Sequence, residues 1–145
     1  MLVLLAITIS LTPFFLTPTF GATSMENYTV DDIKQVENIP LSDLNTREGI
    51  EERIDELSAL YGQNAAFVKK IVQCESQFNP NAVNHDAVVG KDIGLFQINT
   101  YYHLDNAKKM GYNIYDTEDN LLYGFQLLAT AGSTPWKWSK GCWNT

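Results

Sequence analysis

Apolar residues recur at helical spacing in three stretches of the chain. Ile50, Ile54, Leu57 and Tyr61 share one face of a predicted helix, and Gly62 ends it by reaching the left-handed backbone that closes helices. Val68, Ile71, Val72 and Glu75 share the face of a second, for which Asn64 is the expected N-cap and Asn79-Pro80 the stop. Leu121, Phe125 and Leu128 stack on a third, capped by Thr117 and closed by Gly132. Between the second and third, Ala82 to Ile98 breaks the helical period with Gly90, Gly94 and short β-branched pieces, which reads as a small irregular hairpin. A short helix is expected from Asp105 to Met110, with Gly111 behind it. The tail is aromatic, with Trp136, Trp138 and Trp143. Helices around one small β element make an α+β domain, mostly helical.

The ends of the chain read differently. Leu2 to Leu16 is almost wholly apolar and is followed by Thr19, Gly21 and Ala22, so residues 1–22 read as a signal peptide. No basic residue precedes the apolar run and Pro13 interrupts it. An uncleaved anchor is the rival reading, although the run is short for a span of about 20 residues. Residues 23–46 carry few apolar side chains and no sustained period, as expected of an exposed linker. Residues 47–145 then form the domain. Cys74 and Cys142 are an even count in a chain read as exported, which favours a disulfide between the aromatic tail and the helix of Glu75. Two unpaired core thiols are the alternative.

Composition narrows the function classes. The 145 residues are 45% hydrophobic, enough for one domain with a real core. A net charge of -7 argues against nucleic acid as a partner, because no basic cluster could neutralise phosphates. The same charge gives no bulk attraction to an anionic cell surface. His85 and His103 lack partners at metal-binding spacing and have no Ser or Cys motif to activate, so neither a metal site, a cofactor nor triad chemistry is expected. The chain is read as a monomer.

The chemistry-bearing pair is Glu75 and Asp92, seventeen residues apart in settings of opposite character. An acid on an apolar helix face loses hydration, which disfavours its charged form and keeps a proton available. A carboxylate among Gly90, Lys91 and Gly94 stays solvated and ionised. Glycosidic cleavage needs this division: one carboxyl protonates the leaving oxygen, and the other stabilises positive charge on the sugar ring. Taken singly, Glu75 could be a solvated helix-end charge and Asp92 a turn former. Gln97 and Asn99 alternate with Phe96 and Ile98, which would place both amides on one strand face, suited to acetamido and hydroxyl groups, or else merely to local backbone. Asn84 joins them as a candidate substrate ligand. Tyr101, Tyr102, Trp136 and Trp138 are candidates for a platform under the apolar faces of sugar rings, with core packing as the commoner fate of any one of them.

Two blocks carry a resemblance to a known family. Cys74-Glu75-Ser76-Gln77-Phe78-Asn79-Pro80-Asn81-Ala82 and Gly94-Leu95-Phe96-Gln97-Ile98-Asn99 resemble the lysozyme superfamily. These blocks are similar to the soluble lytic transglycosylase domain, which relies on one glutamate, and Asn120 resembles the helix start of that branch. The step from Glu75 to Asp92 is similar to animal-type lysozyme, which uses a glutamate and an aspartate. The resemblance implies a lysozyme-like fold and, as substrate, the glycan strands of peptidoglycan, cut at the β-1,4 bond between N-acetylmuramic acid and N-acetylglucosamine. It implies Glu75 as the acid, with Asp92 or the substrate's own acetamido group stabilising the cation. Animal-type lysozymes carry several disulfides and are usually basic, whereas this chain has two cysteines and is acidic. That favours a bacterial or phage wall-remodelling enzyme, secreted or held in the envelope, acting as a lytic transglycosylase. A hydrolytic lysozyme and a silent glycan-binding wall protein are the alternatives.

Overall fold

A computed structural model describes residues 43–145. The expected signal segment, and residues 23–42 of the expected linker, lie outside the described residues. Helix α1 spans Arg47–Tyr61 and begins where the Thr46 hydroxyl accepts a hydrogen bond from the Gly49 amide at 3.1 Å. It ends at Gly62 in the left-handed conformation. Ile50, Ile54, Leu57 and Tyr61 are buried along it, as the apolar period predicts. Helix α2, Ala65–Ser76, is capped by the Asn64 side chain, which accepts from the Phe67 amide at 3.0 Å. Its Val68, Ile71 and Val72 are fully buried against α1.

Three two-residue strands follow in place of a simple hairpin: β1 (Val83–Asn84), β2 (Asp92–Ile93) and β3 (Ile98–Asn99). They form one antiparallel sheet with β2 central. Asn84 pairs with Asp92, and Asp92 with Asn99, so three polar residues stand abreast across the strands. Helix α3, Thr100–Lys109, begins five residues before the expected start because Asn99 caps it. Only Ala107 of α3 is buried, so no apolar stripe marks its first turn in the sequence.

Helix α4, Thr117–Ala131, runs through the core with Leu121, Leu122, Tyr123, Phe125 and Leu128 buried. Its N-cap is Asp116, which accepts from the Asp119 amide at 3.0 Å, and Thr117 is the first helical residue instead of the cap. Arg53 of α1 binds Glu118 of α4 through Nη2 at 2.5 Å and Glu56 through Nη1 at 2.9 Å, which joins the two helices at a nearly buried guanidinium. After Gly132 the tail forms a 3-10 helix, Thr134–Ser139, and a final turn, α5, Lys140–Trp143. Cys74 and Cys142 are bonded, with their Cα atoms 6.0 Å apart. The Trp143 ring meets Phe67 edge to face at 5.4 Å. The tail is thus pinned to α2 by both a covalent bond and an aromatic contact.

Candidate active site

Glu75 occupies the last turn of α2, where the chain leaves the helix through two left-handed residues, Gln77 at φ 55° and Phe78 at φ 62°. Neither is a glycine, so this turn holds local strain that buried Phe78 offsets by packing into the core. The Glu75 carboxyl is half-buried. Burial raises its pKa above the ordinary 4.5, a hydrogen bond from the Ser139 hydroxyl to Oε1 opposes the rise, and the negative charge of Asp92 adds to it. The net shift is upward. A carboxyl in this state holds its proton to higher pH than a surface glutamate, as a general acid requires.

Asp92 lies on central strand β2 and not in an open turn. Its Oδ2 accepts from the Asn84 amide at 3.0 Å and its Oδ1 from the Asn99 amide at 2.7 Å. Both flanking asparagines come from the neighbouring strands at the paired register positions. The sheet therefore builds a carboxylate braced from each side by a neutral donor.

The expectation that Gln97 and Asn99 share one strand face does not hold. Gln97 precedes β3 with φ 49°, which breaks the two-residue alternation. Its Nε2 donates to Gly94 O at 2.9 Å and Ala82 O at 3.3 Å, which uses both amide protons and leaves Oε1 as the acceptor facing outward from that pair. Asn99 has its amide fully committed. Its Nδ2 donates to Val89 O and Asp92, and its Oδ1 caps α3 by accepting from the Tyr101 and Tyr102 amides. Asn99 is a brace for Asp92, with no amide proton left for a sugar. Asn84 donates one proton to Asp92 and is otherwise exposed.

The aromatic candidates divide. Trp136 is buried, its Nε1 donating to Phe96 O at 2.8 Å and its ring 5.2 Å from that of Phe96, so it packs the core under the site and offers no open ring face. Trp138, two residues later, is 89% exposed, with Lys137 over its ring. Tyr101 and Tyr102 are exposed and meet edge to face at 5.0 Å at the start of α3. His103 is partly buried, 3.3 Å from the Tyr123 hydroxyl, and burial lowers its pKa; His85 is exposed. Among the described residues no group of three His, Cys, Asp or Glu side chains could hold a metal ion.

The segment between Asp92 and Gln97 is held from behind. Asn120, buried on α4, accepts from the Phe96 amide at 3.0 Å and donates to Ile93 O and Ile114 O at 3.0 and 2.9 Å. Gly94 sits at φ 73° directly on this amide, and a Cβ there would lie 2.5 Å from Asn120 Nδ2. The glycine is required by both backbone and space. The Ser139 hydroxyl on Glu75 and the Trp143 indole on Ser139 are contacts that sequence reasoning misses. Ser139 lies 64 residues from Glu75, and nothing near either residue in the chain marks the contact.

The family model described as the transglycosylase SLT domain matches residues 52–138. That span includes Glu75, the three strands, Asn120 and Trp136. No curated protein and no solved structure matches the chain.

Proposed function

The chain belongs to the transglycosylase SLT domain family, and from that premise we propose that it is an exported lytic transglycosylase that cuts peptidoglycan glycan strands. The bond broken is the β-1,4 linkage between N-acetylmuramic acid and N-acetylglucosamine. The observation that carries the reading is Glu75, a half-buried carboxyl whose pKa is raised by burial and by the facing charge of Asp92. Protonated Glu75 donates its proton to the glycosidic oxygen as that bond breaks. The positive charge left on the muramic acid ring is relieved by its own acetamido oxygen. Glu75, now ionised, takes the proton from the sugar's own hydroxyl as that oxygen closes on the anomeric carbon, and the acid is restored. Water enters no step, so the product carries an internal anhydro bridge and is one water lighter than a hydrolysis product.

Hydrolysis with Asp92 as second carboxylate is the other reading, and the nearness of its charge to Glu75 favours it. Against it, each Asp92 oxygen already accepts an amide hydrogen bond, which draws electron density from any attack on carbon. Asp92 then serves as a fixed negative charge facing the cation and as the anchor that orders Asn84. Gln97 Oε1, the Asn84 amide and the open rings of Tyr101, Tyr102 and Trp138 are the groups available to glycan. A silent binding protein on this fold has no use for a carboxyl whose hold on its proton is strengthened by partial burial.

Digestion of purified peptidoglycan followed by mass analysis of the muropeptides tests the proposal. Anhydro-muropeptides from the wild type, absent with Glu75→Gln, are the expected result. Ordinary reducing ends would replace it with the hydrolytic reading, and no digestion with the silent one.

A further inference from the structure

The hydroxyl that meets Glu75 stands in a small network of its own. Ser139 ends the 3-10 helix, and its Oγ is in hydrogen-bond contact with Glu75 Oε1 and with Trp136 O at 3.0 Å. Trp143 Nε1 donates to the same Oγ at 3.0 Å and to Trp136 O at 3.1 Å. Because the indole N–H can only donate, it occupies an Oγ lone pair and directs the hydroxyl proton elsewhere. That single proton then has two acceptors in reach, the carboxyl oxygen and the backbone carbonyl. Glu75 Oε2 has no hydrogen-bond partner among the described residues.

We propose that Ser139 is a positioning residue for Glu75, which fixes Oε1 through its hydroxyl and so leaves Oε2 as the oxygen that gives and takes the catalytic proton. The inference rests on the lytic reading above and adds a division of labour between the two oxygens. An ionised carboxylate is the stronger acceptor, so the hydroxyl turns to Oε1 when Glu75 has given up its proton. When Glu75 is neutral the bond weakens, and Trp136 O is at hand to accept the same proton. The carboxyl is therefore steadied most in the state in which it must act as base. The indole of Trp143 holds the oxygen of Ser139 in place in both states, and the Cys74–Cys142 bond holds α5 to the helix that carries Glu75.

The charges around Glu75 leave this role to the hydroxyl. On α1, Asp55 is paired with Lys69 of α2, and Arg53 is engaged by Glu56 and Glu118. On the tail, Lys137 lies over the Trp138 ring and Lys140 is exposed. Asp92, from the sheet, is the charge that acts on Glu75, and it opposes ionisation while Ser139 favours it. Loss of Ser139 leaves burial and Asp92 without an opponent, so Glu75 holds its proton to higher pH.

Carbon-13 NMR titration of the Glu75 carboxyl, assigned by its absence in Glu75→Gln, tests this without relying on lysis. Its midpoint is expected to rise in Ser139→Ala and to return toward the wild-type value in Ser139→Thr, which restores the hydroxyl. In wall-clearing assays the basic limb of the pH–rate profile should move upward with it. The kcat should fall roughly tenfold, the scale of one hydrogen bond to a charged group, while KM changes by less than about twofold. Should Ser139→Ala not fold, Trp143→Phe keeps the aromatic contact and frees the hydroxyl, and its midpoint should move the same way. An unmoved or lowered midpoint in the folded variants overturns the proposal. A wild type that does not digest wall, with the midpoint shift still present, overturns the lytic reading and leaves the Ser139–Glu75 coupling standing.

Discussion

Replacing Asn120 by alanine should show how firmly the segment between Asp92 and Gln97 is clamped. The change deletes three buried hydrogen bonds, from the Phe96 amide and to the Ile93 and Ile114 carbonyls, at a residue 1% exposed. At about 1 kcal/mol net per bond, and more where a buried backbone group is left without a partner, the loss is on the order of 3–6 kcal/mol. That is a large share of the 5–15 kcal/mol typical of a domain. For a domain of about 100 residues it corresponds to a fall in Tm of roughly 15 °C or more. Gly94→Ala probes the same clamp from the other side. Its Cβ would lie 2.5 Å from Asn120 Nδ2, and φ 73° costs about 1 kcal/mol more for any residue with a side chain. In the double variant the steric part disappears and only the backbone cost remains. Thermal and urea unfolding of all four proteins should therefore give a double variant at least about 1 kcal/mol more stable than additivity predicts. Additivity within about 0.5 kcal/mol, or a Tm fall below about 5 °C for Asn120→Ala alone, would refute the reasoning.

Five further outcomes follow from the site. Glu75→Gln should lower wall digestion by at least 10²–10⁴-fold in a turbidity assay. The same variant should change stability with a definite sign: the folded-state pKa of Glu75 is raised, so its contribution is fully present below the ordinary 4.5 and is lost as pH rises through the folded value. Urea midpoints should accordingly decline less in Glu75→Gln than in the wild type between pH 4 and 7. Asp92→Asn removes the charge that raises the pKa of Glu75, so the basic limb of the pH–rate profile should move to lower pH; on the transglycosylase reading the loss of rate is mild, and near-abolition with reducing-end products would point to the hydrolytic one. Reducing the Cys74–Cys142 bond, which spans 68 residues, should cost on the order of 4 kcal/mol in the chain-entropy model, read as a lowered melting temperature. Trp138→Ala should weaken sedimentation with insoluble peptidoglycan and leave the melting temperature within about 2 °C, because an exposed ring contributes little to folding.

What the sequence made legible was whatever repeats locally. The faces of α1, α2 and α4 follow from apolar spacing, and the boundaries at Gly62 and Asn64 from residue types favoured at helix ends. Glu75 stood out because it stands at the end of an apolar stripe, inside a block that resembles a known family. The rest depends on contacts between distant parts of the chain. Asn99 had the look of a strand amide, but its oxygen starts a helix whose weak burial gives no periodic signal. Gln97 takes a left-handed backbone with no glycine to announce it. Trp136 and Trp138 are the same residue two positions apart, and only the fold shows that the first packs on Phe96 while the second is exposed. Ser139 was invisible because its partner is 64 residues upstream.

The long separation between Glu75 and the tail also sets an order in time. During synthesis Glu75 leaves the ribosome well before Ser139, Cys142 and Trp143, so the helix bearing the acid can form while its hydroxyl and indole neighbours do not yet exist. The covalent clasp closes late as well, because its second cysteine, Cys142, follows Ser139 in the chain. A nascent chain that has not yet reached Ser139 therefore carries a Glu75 without its hydroxyl partner. The setting of the acid is thus completed only when Ser139 and the turn that follows it are in place.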